Sequence, residues 1–159
     1  MIGLSFLLVL TEMGLCASGA ETDNSLDRYN VVWLTPSEDY NGSMPIGNGE
    51  LAANVWVEPT GDLIFLLSKS DTWSGGGPDP ELLKLGRIRV KFDPTLYQEG
   101  ANFRQVLDLK TGSINVDVSV GDLKRSIRFW IDANRPVVHV EIQSSEPCTA
   151  EIALESWRA

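Results

Sequence analysis

The stretch SINVDVSVGDLKRSIRFWI, residues 113–131, decides the fold. Ile114, Val116, Val118 and Val120 alternate with Asn115, Asp117 and Ser119, and a period of two puts four apolar side chains on one face of a strand and the polar ones on the other. Gly121-Asp122 then closes a tight hairpin, because glycine supplies the positive φ that the first turn position needs. Leu123–Ile131 is the returning strand. The same punctuation runs along the chain in both directions. Apolar runs at Tyr29–Leu34, Leu51–Val57, Leu63–Leu67, Arg87–Phe92, Phe103–Leu109, Val137–Ser144 and Thr149–Ser156 are separated by Gly, Pro, Asn and Asp. Thr60-Gly61-Asp62 and Lys110-Thr111-Gly112 punctuate two further hairpins.

About nine strands with no repeat or heptad predict an all-β fold, a large antiparallel β-sandwich with at most one short helix outside the leader. That helix is expected near Pro80–Gly86. Asp79 can cap free amides, Pro80 suits the first helical position, and Gly86 suits the stop after Leu82, Leu83 and Leu85.

Composition narrows the function classes. The 159 residues carry 13 Lys+Arg against 22 Asp+Glu, a net charge of -9 that repels nucleic acid and anionic membrane surfaces. A hydrophobic content of 43% is enough for a packed core. The first twenty residues read as a signal peptide: an apolar run from Ile2 to Leu10, then small residues ending near Ala20. A secreted or periplasmic location follows. The run is too short to span a bilayer, and Leu15 stands where a lipoprotein signal has a small residue, which argues against a lipid anchor on Cys16. Residues 21–28 form a polar lead-in, and 29–159 form one domain. Trp157-Arg158-Ala159 reads as a cut after a first domain.

No catalytic set emerges from the residues. Only Cys16 and Cys148 are present, so export supplies no disulfide framework. The single histidine, His139, sits on the polar side of an alternating strand, which leaves no metal cluster and no base for a thiol. No cofactor motif appears: Gly47-Asn48-Gly49 and Gly75-Gly76-Gly77 match no dinucleotide or phosphate fingerprint. Glu38-Asp39 and Asp79/Glu81 are carboxylates of turns, whereas glycoside hydrolysis needs two acids flanking a bond at a defined separation.

Two loops are dense in glycine and asparagine, Asn41–Glu50 and Ser70–Asp79. They either join strands, with Trp73 as a core plug, or present Asn48, Glu50, Asp71, Thr72 and Trp73 to a ligand or a neighbouring domain. An indole face stacks on sugar C–H groups while a carboxylate accepts from hydroxyls, so Asp71 and Trp73 suit a carbohydrate.

Three segments in this order, MPIGNGELAANVWVEP (44–59), LIFLLSKSDTWSGGGPD (63–79) and FRQVLDLKTGSINVDVSVGDLKRSIRFWIDANRPVVHVEI (103–142), resemble the N-terminal domain of glycoside hydrolase family 95, known for α-L-fucosidases. The match covers about Tyr29 to Ser156. It implies a β-sandwich that packs on a downstream (α/α)6 barrel, absent here, where the catalytic acids lie. It also implies that the Gly-Asn-Gly and Asp-Thr-Trp loops border the sugar pocket. The chain is then an accessory and structural domain, inactive alone, whose partners are that barrel and, through it, a carbohydrate. Two features depart from the pattern. Lys69-Ser70-Asp71 stands where the family has Asn-Glu-Asp, and the segment before the next strand shortens to Pro80–Gly86, so the sugar stays open. The alternative is a free-standing carbohydrate-binding module using Trp33, Trp56, Trp73 and Trp130.

Overall fold

The computed structural model describes residues 25–75 and 79–156. The leader, Cys16, Gly76–Pro78 and the last three residues lie outside the described residues. Ten strands follow in chain order: β1 Val31–Trp33, β2 Met44–Gly47, β3 Leu51–Val57, β4 Leu63–Trp73, β5 Leu82–Asp93, β6 Asn102–Asp108, β7 Ser113–Val120, β8 Leu123–Ile131, β9 Val138–Ser144 and β10 Thr149–Glu155. They form two five-stranded sheets, one ordered β1-β6-β7-β8-β9 and the other β10-β5-β4-β3-β2. Every pairing is antiparallel. The all-β sandwich expected from the alternating strands is the fold observed.

The alternation locates the core. Ile114, Val116 and Val118 of β7 and Ile127, Phe129 and Ile131 of β8 face Val55, Val57, Leu63 and Phe65 of the second sheet. Each such side chain is stabilised by roughly 1.5–3 kcal/mol on leaving water. Phe65 and Phe129 meet edge to face across the sheets with centroids 5.1 Å apart. Gln105 brings a polar group into this layer: 2% exposed, it donates from Nε2 to the Val55 carbonyl at 3.2 Å. The bond offsets the cost of burying the amide and ties β6 to β3.

Turns behave as their glycines require. Gly121 has φ +57° in the two-residue β7–β8 turn, and no residue other than glycine has positive φ among the described residues. Gly61 (φ +87°) is crowded as well: a Cβ there would meet Thr95 Oγ1 at 2.1 Å and the Tyr97 amide nitrogen at 2.8 Å.

Three local expectations are corrected. Leu82, Leu83 and Leu85 are not helical but open β5, since Leu82 pairs with Trp73 and Gly86 with Leu67. A sheet partner on that side outweighs a cap signal worth about 1 kcal/mol. The only helical turns described are 3-10 turns at Ser25–Tyr29 and Tyr40–Gly42. Met44–Gly47, read as loop, is the edge strand β2 along β3; a proline is tolerated there because an edge leaves N–H groups unpaired. Finally, Ser70–Trp73 continues β4 instead of leaving the sheet.

Candidate functional site

The end of β4 is a bulge that places the segment Lys69–Trp73. Ser68 pairs with Lys84 and Trp73 with Leu82, so five steps along β4 face two along β5. The surplus residues arch outward. The Thr72 hydroxyl lies 2.6 Å from the Lys69 carbonyl and 2.8 Å from the Leu83 carbonyl, bracing the arch from inside. Trp73 folds back, its Nε1 donating to the Ser70 carbonyl at 3.0 Å. The indole is 55% exposed, so it is no core plug. Its polar edge is satisfied and its apolar ring stands in solvent. Ser74 and Glu81 close the strand ends, the Ser74 amide on the Glu81 carbonyl and the Glu81 amide on Ser74 Oγ, both at 2.8 Å.

Glu50 and Asp71 meet at the same end. Lys69 Nζ lies 3.3 Å from Glu50 Oε1 and hydrogen-bonds Asp71 Oδ2, while the Ser70 amide donates to the Glu50 carbonyl. The Asp71 carboxylate holds the Lys69 ammonium above its usual range, and Lys69 in turn holds Asp71 below the ordinary carboxylate range. Asp71 is therefore an ionised acceptor, unlike a glycosidase general acid, whose pKa must be raised. Glu50, Asp71, Thr72 and Trp73 thus share one end of β3 and β4, with Thr72 bracing and the other three facing outward.

Asn48 does something else. Its Oδ1 accepts from the amides of Glu50 (3.0 Å) and Leu51 (2.8 Å), and its Nδ2 donates to the carbonyls of Asp132 (2.8 Å) and Arg135 (3.0 Å). Two acceptor sites and two N–H groups are all an asparagine has, so nothing remains for a ligand. It is the latch between the β2–β3 turn of one sheet and the β8–β9 turn of the other.

That second turn carries a constellation that sequence reasoning missed. Arg135 bonds Asp132 through Nε and Nη2, and His139 Nε2 lies 3.7 Å from Asp132 Oδ2. Asp132 is lowered to about 2, chiefly by the Arg135 bond. The His139 ring stacks on Trp130, centroids 4.7 Å apart and 7° from parallel, with the Arg128 guanidinium 5.0 Å from the indole centroid. The signal was available in the hairpin register: pairing Ile131 with Val138 sets Trp130 opposite His139.

The remaining tryptophans among the described residues separate by exposure. Trp33 is on the surface, whereas Trp56 is 3% exposed and unable to meet a ligand. At the other edge of the second sheet, Ile152 and Leu154 pair with Val90 and Ile88 and share their inward-facing side, yet are 71% and 69% exposed. The first sheet does not reach over β10. Because β10 runs antiparallel to β5, its last residue Glu155 lies beside Arg87, toward the end of the β4–β5 hairpin that carries Trp73.

Among the described residues no group of three or more His, Cys, Asp or Glu is placed to hold a metal ion. Among the described residues no helix is long and apolar enough to cross a membrane. No curated protein matches the chain. A family model does: DUF5703_N, described as Domain of unknown function (DUF5703), matches residues 32–159. With β1 to β10 all within or overlapping that match, the chain belongs to the DUF5703 N-terminal domain family.

Proposed function

We propose that this chain is the N-terminal accessory domain of an exported glycoside hydrolase, resembling the family 95 α-L-fucosidases, and that it packs on a downstream catalytic barrel and borders its sugar pocket. The observation that carries the reading is the exposed Trp73 ring on its bulge, beside ionised Asp71 and the Lys69–Glu50 pair. An apolar ring with acceptors alongside is what a sugar face or a domain contact needs. Ile152 and Leu154 add a second anchor, since apolar side chains on the inward side of a sheet are stable when something covers them.

In this reading the chain supplies shape and contacts, and the barrel supplies the acid and base. The Asp71 carboxylate accepts from a substrate hydroxyl without exchanging a proton. Trp73 holds either the apolar face of the sugar or the barrel loop beside it.

Two measurements test it. The coding sequence beyond Ala159 is expected to continue into a long helical domain; a stop codon there would refute the reading. The gene product containing this chain is expected to turn over an aryl α-L-glycoside, the fucoside first, while the chain by itself does not. Turnover by the purified chain alone would place the acids within these residues and overturn the assignment.

A further inference from the structure

The outer face of the first sheet, opposite the core, is hollowed, and charged and polar side chains stand over lining that is mostly apolar in the larger hollow and mostly polar in the smaller. Two adjoining hollows of about 730 and 520 Å3 run across β6 to β9 and share Arg104, Asp117, Ser126 and Gln143. Those four stand in one row by strand register, Arg104 opposite Asp117, Asp117 opposite Ser126 and Ser126 opposite Gln143. The neighbouring row sets Asn115 opposite Arg128 and Arg128 opposite Glu141.

These charges are left open. Arg104 and Asp117 face each other in register, yet among the described residues neither side chain has a hydrogen bond or ion pair. Arg128 and Glu141 also stand opposite without pairing; Arg128 contacts only the Trp130 ring, and Glu141 accepts only from Gln143 at 3.1 Å. The outer face of the second sheet is the contrast. There Arg89 bonds Glu58, Asp62 and Glu155, and Arg87 bonds Glu155. One face spends its donors and acceptors on itself, and the other keeps them available.

We propose that this trough binds a neutral oligosaccharide. Arginine forks and carboxylates alternate across strands about 4.8 Å apart, a spacing at which a chain of hydroxyl pairs can donate to one and accept from the next. Arg104, Lys124, Arg125 and Arg128 line the two hollows against Asp117 and Glu141, so the cations are interrupted by carboxylates and do not form the continuous cationic track that a polyanion needs. Exposed apolar side chains in these rows are confined to Val32 and Leu34 at the β1 end, too short a stripe for a hydrophobic peptide. The site lies on the sheet opposite Trp73 and is independent of the barrel reading.

The test is isothermal titration of the chain with cellohexaose, xylohexaose, mannohexaose and laminarihexaose. At least one is expected to bind saturably, with Arg128→Ala and Asp117→Ala each weakening it about tenfold or more, the loss of one or two charge-assisted bonds. Thermal midpoints of both variants should stay near the parent's, because Asp117 has no partner among the described residues and Arg128 gives up only its contact with the Trp130 ring, and Trp73→Ala should bind as the parent does. Absence of saturable heat with all four sugars would overturn the site, as would undiminished binding by the Arg128→Ala, Asp117→Ala double variant. Neither failure touches the barrel reading, which rests on the other sheet.

Discussion

Asn48 Nδ2 donates to the backbone carbonyl of Asp132 at 2.8 Å, joining residues 84 positions apart and one sheet of the sandwich to the other. The same amide holds the Arg135 carbonyl and the amides of Glu50 and Leu51. Replacing Asn48 with Ala should cost about 2 kcal/mol, since truncation leaves partly buried partners unpaired. Urea unfolding checks this, and a midpoint equal to the parent's would show the latch to be incidental.

Asp132 gives the latch a pH dependence. Arg135, then the Asn134 amide, hold its carboxyl near 2 in the folded chain, against 3.8 for an unperturbed aspartate. A folded pKa below the unfolded one means that the unfolded chain takes up the proton first on acidification. The stabilisation is therefore whole above 3.8 and is lost as the pH falls toward 2. Thermal midpoints measured down this range should fall more steeply in the parent than in Asp132→Asn. Parallel curves would remove Asp132 from the account.

Arg89 holds three strands' worth of carboxylates at once: Glu58 and Asp62, each 2.7 Å from Nη1, flank the β3–β4 turn, and Glu155, 2.8 Å from Nε, ends β10. The arginine is 16% exposed on its side chain. Its loss leaves acids facing one another with little water between them, so Arg89→Met should destabilise by about 3 kcal/mol. Chemical denaturation of the variant tests it, and a change within about 0.5 kcal/mol would mark the cluster as ordinary surface charge.

Gly61 is the position where backbone and packing both demand glycine. An added methyl would strike Thr95 and the Tyr97 amide, and the left-handed φ is strained for alanine. Gly61→Ala should cost about 3 kcal/mol, overpacking and strain together. Gly121→Ala meets nothing within 4 Å and should cost only the strain. Equal midpoints for the two variants would contradict the packing half.

Much of the sandwich was legible because alternation is a local signal: β3, β7 and β8 have the boundaries their apolar periods give. What failed depends on a distant partner. Leu82–Leu85 carries helix caps and becomes strand because Leu67 and Trp73 are waiting across the hairpin, and Pro45 sits in an edge strand that only β3 defines. At the candidate site, composition identified the Asp71–Trp73 segment but not the bulge that exposes it. It also grouped Asn48 with that segment, although the structure turns Asn48 toward Asp132. Stacking of Trp130 on His139 needed the β8–β9 register, and the open charges of the first sheet needed side-chain geometry.

Trp73→Ala, made in the gene product that contains this chain and in the chain alone, tests the proposed function most directly. Because the ring is exposed and its N–H bonds only the local Ser70 carbonyl, the stability of the chain alone should change by less than about 1 kcal/mol. Glycosidase activity of the whole product should fall by the equivalent of about 2 kcal/mol or more, the loss of an aromatic anchor at a pocket rim or interface. Full activity in the whole product, with or without a loss of stability in the isolated chain, would contradict the account.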